Sequence, residues 1–350
     1  MGTYKRVIMV VISGLGIGPA PDAGKFMDRG ADTVGDLNAH FRARLQLPNL
    51  GRLGLARLHP LYQAAPEILD HTQQWRVRPR AVGKSRLEGY RELLGVPTTT
   101  ELTALPRGLA PELIQEIARF AGHPVLVNRP YSRPRLLLDW GTRAVAAGAI
   151  LVATSGGADL VLTAHENLVP PPELERVGHF ARDLLDRQAG LRIGQVVTVP
   201  FTGRTPVDFT YRLTDRHEYN MAVPHATLLD QLRAAGIYVN TDPQTLTENG
   251  LQVVQLGKAA MAGERRDPEK MGQALMAADA RLGEIIPQVT NQDLLVVTAD
   301  YGAAPDFPGD GPTREWLPLL VYSPLGDDWR WTPRLLGDIS IIVKDSFGLK

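Results

Sequence analysis

The run Leu294-Leu295-Val296-Val297-Thr298-Ala299-Asp300-Tyr301-Gly302 ends an apolar stretch in a carboxylate and a glycine. Such a stretch reads as a buried parallel strand, and the C-terminal ends of parallel strands are where open α/β sheets build their sites. Asp300 is therefore a candidate site residue. Ser13 holds a similar place after a first apolar run, Val7 to Ile12, and opens the turn Ser13-Gly14-Leu15-Gly16-Ile17-Gly18. That turn lacks the G-x-G-x-x-G spacing of a dinucleotide site, and no acidic partner follows a second strand. Gly83-Lys84-Ser85 sets a hydroxyl beside an amine, but a serine without a base, a lowered pKa or a metal is a weak nucleophile. Glu264 stands beside Arg265 and Arg266, where a carboxylate either binds a cation or forms a surface ion pair. Arg216-His217 is a second basic pair, suited either to a phosphate or to a structural role. No H-E-x-x-H, P-loop or G-x-S-x-G motif occurs, and the absence of cysteine excludes disulfides, thiolate metal sites and cysteine nucleophiles. His40, His59, His71, His123, His179 and His225 are scattered without ligand spacing.

The elements that must position these groups alternate between strand-like and helical runs, the pattern of an α/β protein with a mainly parallel sheet. Strands are expected at Val125 to Val127, Ile150 to Val152, Leu160 to Leu162, Val196 to Val199, Ile237 to Val239, Leu251 to Leu256 and Leu317 to Tyr322. Helices are expected over Pro111 to Ala121, Leu136 to Ala147, Pro172 to Arg187, Ala226 to Ala235, Pro268 to Val289 and Gly337 to Phe347. From the first strand to about Gly83 the chain reads as loop-rich, with turn signals at Pro19-Ala20-Pro21-Asp22 and Leu47-Pro48-Asn49-Leu50. With 350 residues it is long enough for a large core and a smaller second domain. Lysine plus arginine equal aspartate plus glutamate at 38 each, which argues against nucleic acid or an anionic membrane as the main partner. No segment approaches the ~20 apolar residues that span a bilayer. Lys5-Arg6 before the first apolar run has no cleavage motif after it and reads as the start of a strand. A cytoplasmic location is expected.

Several short motifs, in order along the chain, resemble those of the phosphopentomutases. The opening strand and its Ser13-to-Gly18 turn resemble the family's D-S-F-G-I-G turn. Pro21-Asp22-Ala23, Gly30-Ala31-Asp32-Thr33 and Leu47-Pro48-Asn49-Leu50 follow at familiar spacing. Asn128-Arg129-Pro130, Ala164-His165-Glu166 and Arg216-His217-Glu218-Tyr219 resemble N-K-P, A-H-E and R-H-D-Y, and Thr313-Arg314-Glu315 with Trp316 to Tyr322 resembles T-R-E-Y-V-P-L-L-V-Y. The resemblance implies an alkaline-phosphatase-like core, residues 1–88 and 215–350, interrupted by a smaller α/β cap over residues 89–214. It also implies a two-stranded hinge where the chain crosses between them, near Glu88 and Asp215.

The family moves a phosphoryl group between the C1 and C5 oxygens of ribose or deoxyribose. It uses two divalent cations, usually manganese, and a phosphorylated threonine. A two-metal site needs several carboxylate and imidazole ligands. By resemblance, Ser13 stands at a ligand Asp, Ala259 at another, Glu264 at a ligand His, Tyr301 at the His of T-A-D-H-G, and Pro312 at the His of D-H-T-R-E. Asp300 alone is retained. The nucleophile segment G-K-D-T-T-T-G-H-W-E becomes Gly83-Lys84-Ser85-Arg86-Leu87-Glu88-Gly89-Tyr90-Arg91-Glu92. In the cap, T-S-A-D-S reads Thr154-Ser155-Gly156-Gly157-Ala158, and the arginine of V-G-R is Gln195. Removing ligands and cations together avoids a cluster of repelling carboxylates.

The expectation is thus a non-catalytic phosphopentomutase homologue acting as a binding, regulatory or assembly protein. Its remnant pocket comprises Ser13, Lys84, Ser85, Asp300, Tyr301, Arg216 and His217, with Arg86, Tyr90 and Tyr301 filling space. No metal is expected, and its partner would be a sugar phosphate or a protein. The alternative is a related phosphotransferase or phosphatase with one Mn²⁺ or Mg²⁺ held by Asp300 and Glu264, with Ser85 a weak candidate for covalent catalysis. A third reading is a structural subunit that pairs with an active relative.

Overall fold

The computed structural model describes residues 4–61, 67–131, 133–154, 158–223, 225–308, 311–326 and 329–349. Its strands, in chain order, are β1 (Arg6–Ile12), β2 (Thr72–Val77), β3 (Val125–Pro130), β4 (Ile150–Thr154), β5 (Asp159–Thr163), β6 (Gln195–Thr198), β7 (Phe201–Thr202), β8 (Thr210–Tyr211), β9 (His217–Asn220), β10 (Val239–Asn240), β11 (Gly250–Leu256), β12 (Asp293–Thr298) and β13 (Leu317–Tyr322). Two compact units divide them: Met1–Thr99 with Val223–Lys350, and Thr100–Ala222.

The first unit holds a six-stranded sheet in the order β10-β11-β1-β12-β13-β2. β10, β11, β1 and β12 are parallel, and β13 and β2 are antiparallel additions at one edge. Every residue of β1 and β12 is buried, which is why both read as unbroken apolar runs. Their register starts at Arg6 opposite Asp293. Arg6 clamps that carboxylate with two bonds of 3.0 and 2.6 Å and also donates to the carbonyls of Thr247 and Gln288. A fully engaged bidentate pair of this kind fixes geometry as well as charge.

The loop-rich stretch between β1 and Gly83 also carries short helices and an edge strand. Asp32 caps the helix Thr33–Phe41 by accepting from the Gly35 amide at 2.9 Å. The Leu47-Pro48-Asn49-Leu50 turn begins a short helix, Pro48–Arg52. Its first amides are satisfied by the Asp279 carboxylate (Asn49 N at 3.1 Å, Leu50 N at 2.7 Å), which arrives from 230 residues away. β2, Thr-Gln-Gln-Trp-Arg-Val, is an edge strand, and only its last residue is buried. It therefore lacks the apolar pattern by which buried strands are recognised. The expected strand at Ile237 to Val239 shortens to Val239–Asn240.

The second unit is a mixed sheet, β3-β4-β5-β6-β9. Alternate residues of its central strands face opposite ways. Ile150, Val152, Leu160, Leu162 and Val196 pack with the helices Pro111–Ala121 and Pro171–Asp186. Leu151, Ala153, Val161 and Val197 pack with Leu136 and Ala144 of the helix Arg133–Ala147 on the other face.

The expected division at residues 88/89 falls inside a helix, Arg86–Leu93, which the first unit keeps. The reason is Glu92, whose buried carboxylate accepts from the amides of Arg80 and Ala81 at 2.7–2.8 Å and so ties that helix to the segment after β2. The second division falls past β9, which pairs with β6. The two-stranded hinge expected near Glu88 and Asp215 is accordingly absent there: Glu88 is helical, and Asp215 closes a 3₁₀ turn, Leu213–Asp215.

Glu315, fully buried before β13, accepts from the amides of Gly18 (3.2 Å) and Thr33 (2.9 Å) and from the hydroxyls of Thr33 (2.7 Å) and Thr313 (2.6 Å). Burial pushes its carboxyl up to about 7 against those bonds. A carboxyl whose folded pKa exceeds its unfolded value of about 4.3 contributes stability that is full below the unfolded pKa and is lost as pH rises through about 7. Glu315→Gln can still offer a carbonyl to the two amides and an NH₂ to the two hydroxyls, which rotate to accept. The melting temperature of the wild type should therefore fall more steeply between pH 5.5 and 8.5 than that of Glu315→Gln. Equal slopes in a thermal-melt series would show that Glu315 does not titrate in this range.

Candidate functional site

β1 and β12 lie side by side, so the residues that leave their C-terminal ends meet. Ser13 follows β1 directly and Asp300 stands two residues past β12, and the Ser13 hydroxyl donates to Asp300 Oδ2 at 3.1 Å. β11 flanks β1 on the other side and leads into the helix Lys258–Gly263, which carries Ala259. The approach is close: a Cβ on Gly14, whose φ is +89°, would lie 2.8 Å from Ala260 Cα. The helix Arg86–Leu93 presses on the same loop, since a Cβ on Gly89 would lie 2.1 Å from the Asp300 carbonyl oxygen. Asp300 is 2% exposed, and its Oδ1 has no hydrogen-bond partner. Burial pushes this carboxyl up to about 7, opposed by the Ser13 hydroxyl and by the charge of Arg86.

The nucleophile segment has a different task from the one its position suggests. Ser85 is the N-cap of Arg86–Leu93: its hydroxyl oxygen accepts from the Glu88 amide at 3.2 Å, and Glu88 Oε2 accepts from the Ser85 amide at 3.0 Å. This reciprocal capping box uses the hydroxyl to satisfy helix donors. Lys84 Nζ is held by both oxygens of Asp28 at 2.7 and 2.9 Å and by the Phe26 carbonyl. Arg314, almost fully buried, forks onto Asp22, donates to the carbonyls of Pro79 and Gly83, and lies over the Phe26 ring. Lys84, Ser85, Asp300, Tyr301, Thr313 and Arg314 line a recess with room for about one water molecule.

Glu264 is paired with Arg86, a residue 178 positions away, and not with the arginines beside it. Arg86 Nε donates to Oε1 at 2.6 Å and its terminal nitrogen reaches Oε2. The Tyr301 phenol lies close enough to feel the same carboxylate. Burial and the neighbouring carboxylates of Asp300 and Glu264 push the phenol up, so it stays neutral. Tyr90 packs partly buried against the core. Pro312 is half-buried and has no donor atom.

Arg216 and His217 belong to the other unit, where each has an acidic neighbour. Arg216 pairs with Glu218, and His217 Nδ1 lies 3.6 Å from Glu175. Gln195 donates to Glu218 and Asn220. Ser155, Gly156 and Gly157 lie outside the described residues.

A two-cation centre does not fit this donor set. Among the described residues no three His, Asp or Glu side chains gather as a metal site. Glu264 already serves a guanidinium through both oxygens, and Asp300 offers one unpartnered oxygen. The sequence reading did not foresee Arg86 as the partner of Glu264, nor Asp22 and Asp28 as partners of Arg314 and Lys84. The Ser-x-x-Glu spacing of Ser85 and Glu88 was the one readable signal for the cap.

The chain matches the model of the metalloenzyme superfamily over residues 5–348. It is 33% identical over 358 aligned positions to the phosphopentomutase of Limosilactobacillus reuteri, covering 92% of this chain and 89% of the relative. To the phosphopentomutase of Levilactobacillus brevis it is 34% identical over 354 positions, with the same coverage. Among solved structures, the PH0037 protein from Pyrococcus horikoshii aligns at a TM-score of 0.47 and 11% identity over 99% of this chain and 98% of that one. Phosphoglycerate mutase from Leishmania mexicana aligns at 0.47 and 12% over 100% and 96%. The chain belongs to the metalloenzyme superfamily and, within it, to the phosphopentomutase family. Its fold is an α/β fold with a mostly parallel central sheet, and among the described residues no helix is long and apolar enough to cross a membrane.

If Ser85 serves the helix, its substitutions should read out as a cap. Ser85→Ala should lower unfolding stability by about 1 kcal/mol, whereas Ser85→Asp, another good cap, should stay near the wild type. Denaturant melts of the three proteins measure this. An Ala variant as stable as the wild type would remove the capping role.

Proposed function

We propose that this member of the phosphopentomutase family is non-catalytic and acts as a binding, regulatory or assembly protein. The observation that carries the reading is the fork of Arg86 on Glu264. By resemblance, Arg86 stands in the segment of the phosphoryl-accepting threonine and Glu264 at a metal-ligand position. Each is used by the other. Both remaining cations beside Asp300, Lys84 and Arg314, are engaged by aspartates, which leaves no free positive charge there to attract a phosphate among the described residues. The recess beside Asp300 is also too small for a sugar phosphate at that place in the first unit. The partner class of this reading is a sugar phosphate bound elsewhere on the chain or a protein.

A second reading keeps an enzyme. The curated relatives named above are phosphopentomutases, and the superfamily implies divalent cations such as Mn²⁺ or Mg²⁺. The unpartnered, buried Oδ1 of Asp300 is the one atom that favours a single cation. Magnesium is held in many sites by one or two carboxylates, waters and substrate phosphates.

Metal analysis of the dialysed protein and a mutase assay separate the two. The expected outcome is no stoichiometric manganese and no conversion of ribose 1-phosphate to ribose 5-phosphate, with or without a bisphosphate activator. Ser13→Asp should restore neither, because Ala259, Tyr301 and Pro312 still lack ordinary ligands. Tight manganese binding with turnover that Asp300→Ala abolishes would replace this reading with the one-metal enzyme.

A further inference from the structure

We infer that the guanidinium of Arg86 is a built-in cation site: the chain supplies, as a side chain, the positive charge that the remaining acidic groups at this sheet edge require. The inference rests on the non-catalytic reading and says how its site is held together. Glu264 has a side chain only 11% exposed, so an unpaired carboxylate there would be poorly hydrated and costly. Its two oxygens take both arms of the Arg86 fork. Arg86 also exerts its charge on Asp300, so one guanidinium serves the positions that by resemblance are a retained ligand and a replaced one.

The placement of Arg86 supports a specific electrostatic role. It is the first residue of the helix Arg86–Leu93, where the helix macrodipole favours negative charge and disfavours a cation. Local helix energetics therefore do not explain an arginine at this position, whereas the carboxylates it faces across 178 residues do. A bidentate arginine on a mostly buried carboxylate is also the geometry in which lysine is a poor replacement. The neighbouring pairs follow the same pattern, with Lys84 on Asp28 and Arg314 on Asp22. Each of these carboxylates is neutralised by a cation the chain itself carries, which makes a divalent ion a competitor for an occupied place.

The test uses the full chain and reads stability, so it does not depend on any activity. Arg86→Ala should lower the melting temperature of the first unit by roughly 2–4 °C, and Arg86→Lys should recover only part of the loss. Adding Glu264→Gln to Arg86→Ala should restore much of it, because the unpaired charge is then gone. Methylguanidinium at tens of millimolar should raise the melting temperature of Arg86→Ala more than an equal concentration of sodium chloride, with no such difference for the wild type. The proposal is overturned if Arg86→Ala melts with the wild type, if Glu264→Gln deepens its loss, or if methylguanidinium acts equally on both. Should Arg86→Ala fail to fold, Glu264→Gln alone decides: a loss that Arg86→Gln does not add to supports the coupling, and additive losses overturn it. Mutase turnover by the wild type would end the non-catalytic reading without altering these couplings.

Discussion

The buried carboxylate of Glu315 is the constraint on which the arrangement of the sheet edge depends. Its four donors come from three separate segments: the turn after β1, the start of the helix Thr33–Phe41, and the approach to β13. Space for it exists because two neighbours are glycines. A Cβ on Gly16 would lie 2.1 Å from a carboxylate oxygen of Glu315, and one on Gly302 would lie 2.5 Å from the other. Gly302 also bridges to Gly14 and to Thr313. The loops that carry Ser13 and Asp300 are thus set by a group that touches neither residue. Removing it would orphan two buried amides at about 1–3 kcal/mol each.

Around that node the site is an assembly of internal ion pairs. Arg6–Asp293 fixes the far ends of β1 and β12, while Arg314–Asp22, Lys84–Asp28 and Arg86–Glu264 surround the near ends. Charges withdrawn from water are tolerated when each is paired and its remaining donors are satisfied, and Arg314 meets this fully through two further carbonyls. Asp300 differs. Ser13 donates to one of its oxygens, and the other is unmatched. Burial answers by holding the carboxyl near neutrality, up to about 7. Arg314, Lys84 and Arg86 thus each hold a carboxylate beside these strand ends, while Asp300 and Glu88 each keep an unpartnered oxygen.

What the sequence revealed of this structure follows from what local pattern can encode. Buried strands such as β1, β11, β12 and β13 are mostly apolar and were readable, as was the helix Pro111–Ala121 with its opening proline. β2 was not, because an edge strand covered on one side keeps Gln73 and Gln74. The short helix Pro48–Arg52 read as a turn because its cap comes from Asp279, far along the chain. The same limit applies to the site. The strand ends that bring Ser13 to Asp300 could be inferred from the sheet, but the pairing of Arg86 with Glu264 across 178 residues leaves no local trace. Beside Arg265 and Arg266, Glu264 read as either a cation ligand or a surface ion pair, since adjacent residues are the contacts a sequence displays. The domain division was misplaced by about ten residues for a related reason: Glu92 holds its helix to Arg80 and Ala81, a tie that composition does not register.

The motifs that carry the family resemblance have structural work in this chain. Asp22 holds Arg314, Asp32 caps a helix, Thr33 and Thr313 bind Glu315, and Asn49 docks on Asp279. In the second unit, Asn128 clasps both backbone groups of Leu109, His165 bonds the Gly203 carbonyl, and the Tyr219 hydroxyl donates to the Glu175 carbonyl. The positions that depart from the family pattern, Ser13, Ala259, Tyr301 and Pro312, are those whose family role by resemblance is to hold a cation. A fold needs the first set whether or not it performs chemistry, because each member satisfies a buried donor, caps an element or joins distant segments. It needs the second set only when a metal is present to use them. Thirty-odd per cent identity across nine-tenths of the chain establishes the family, while the chemistry of a site rests on a few positions. Function must be argued from those positions and not from the fold, and here they are occupied by a serine, an alanine, a tyrosine, a proline and a glutamate already paired with an arginine.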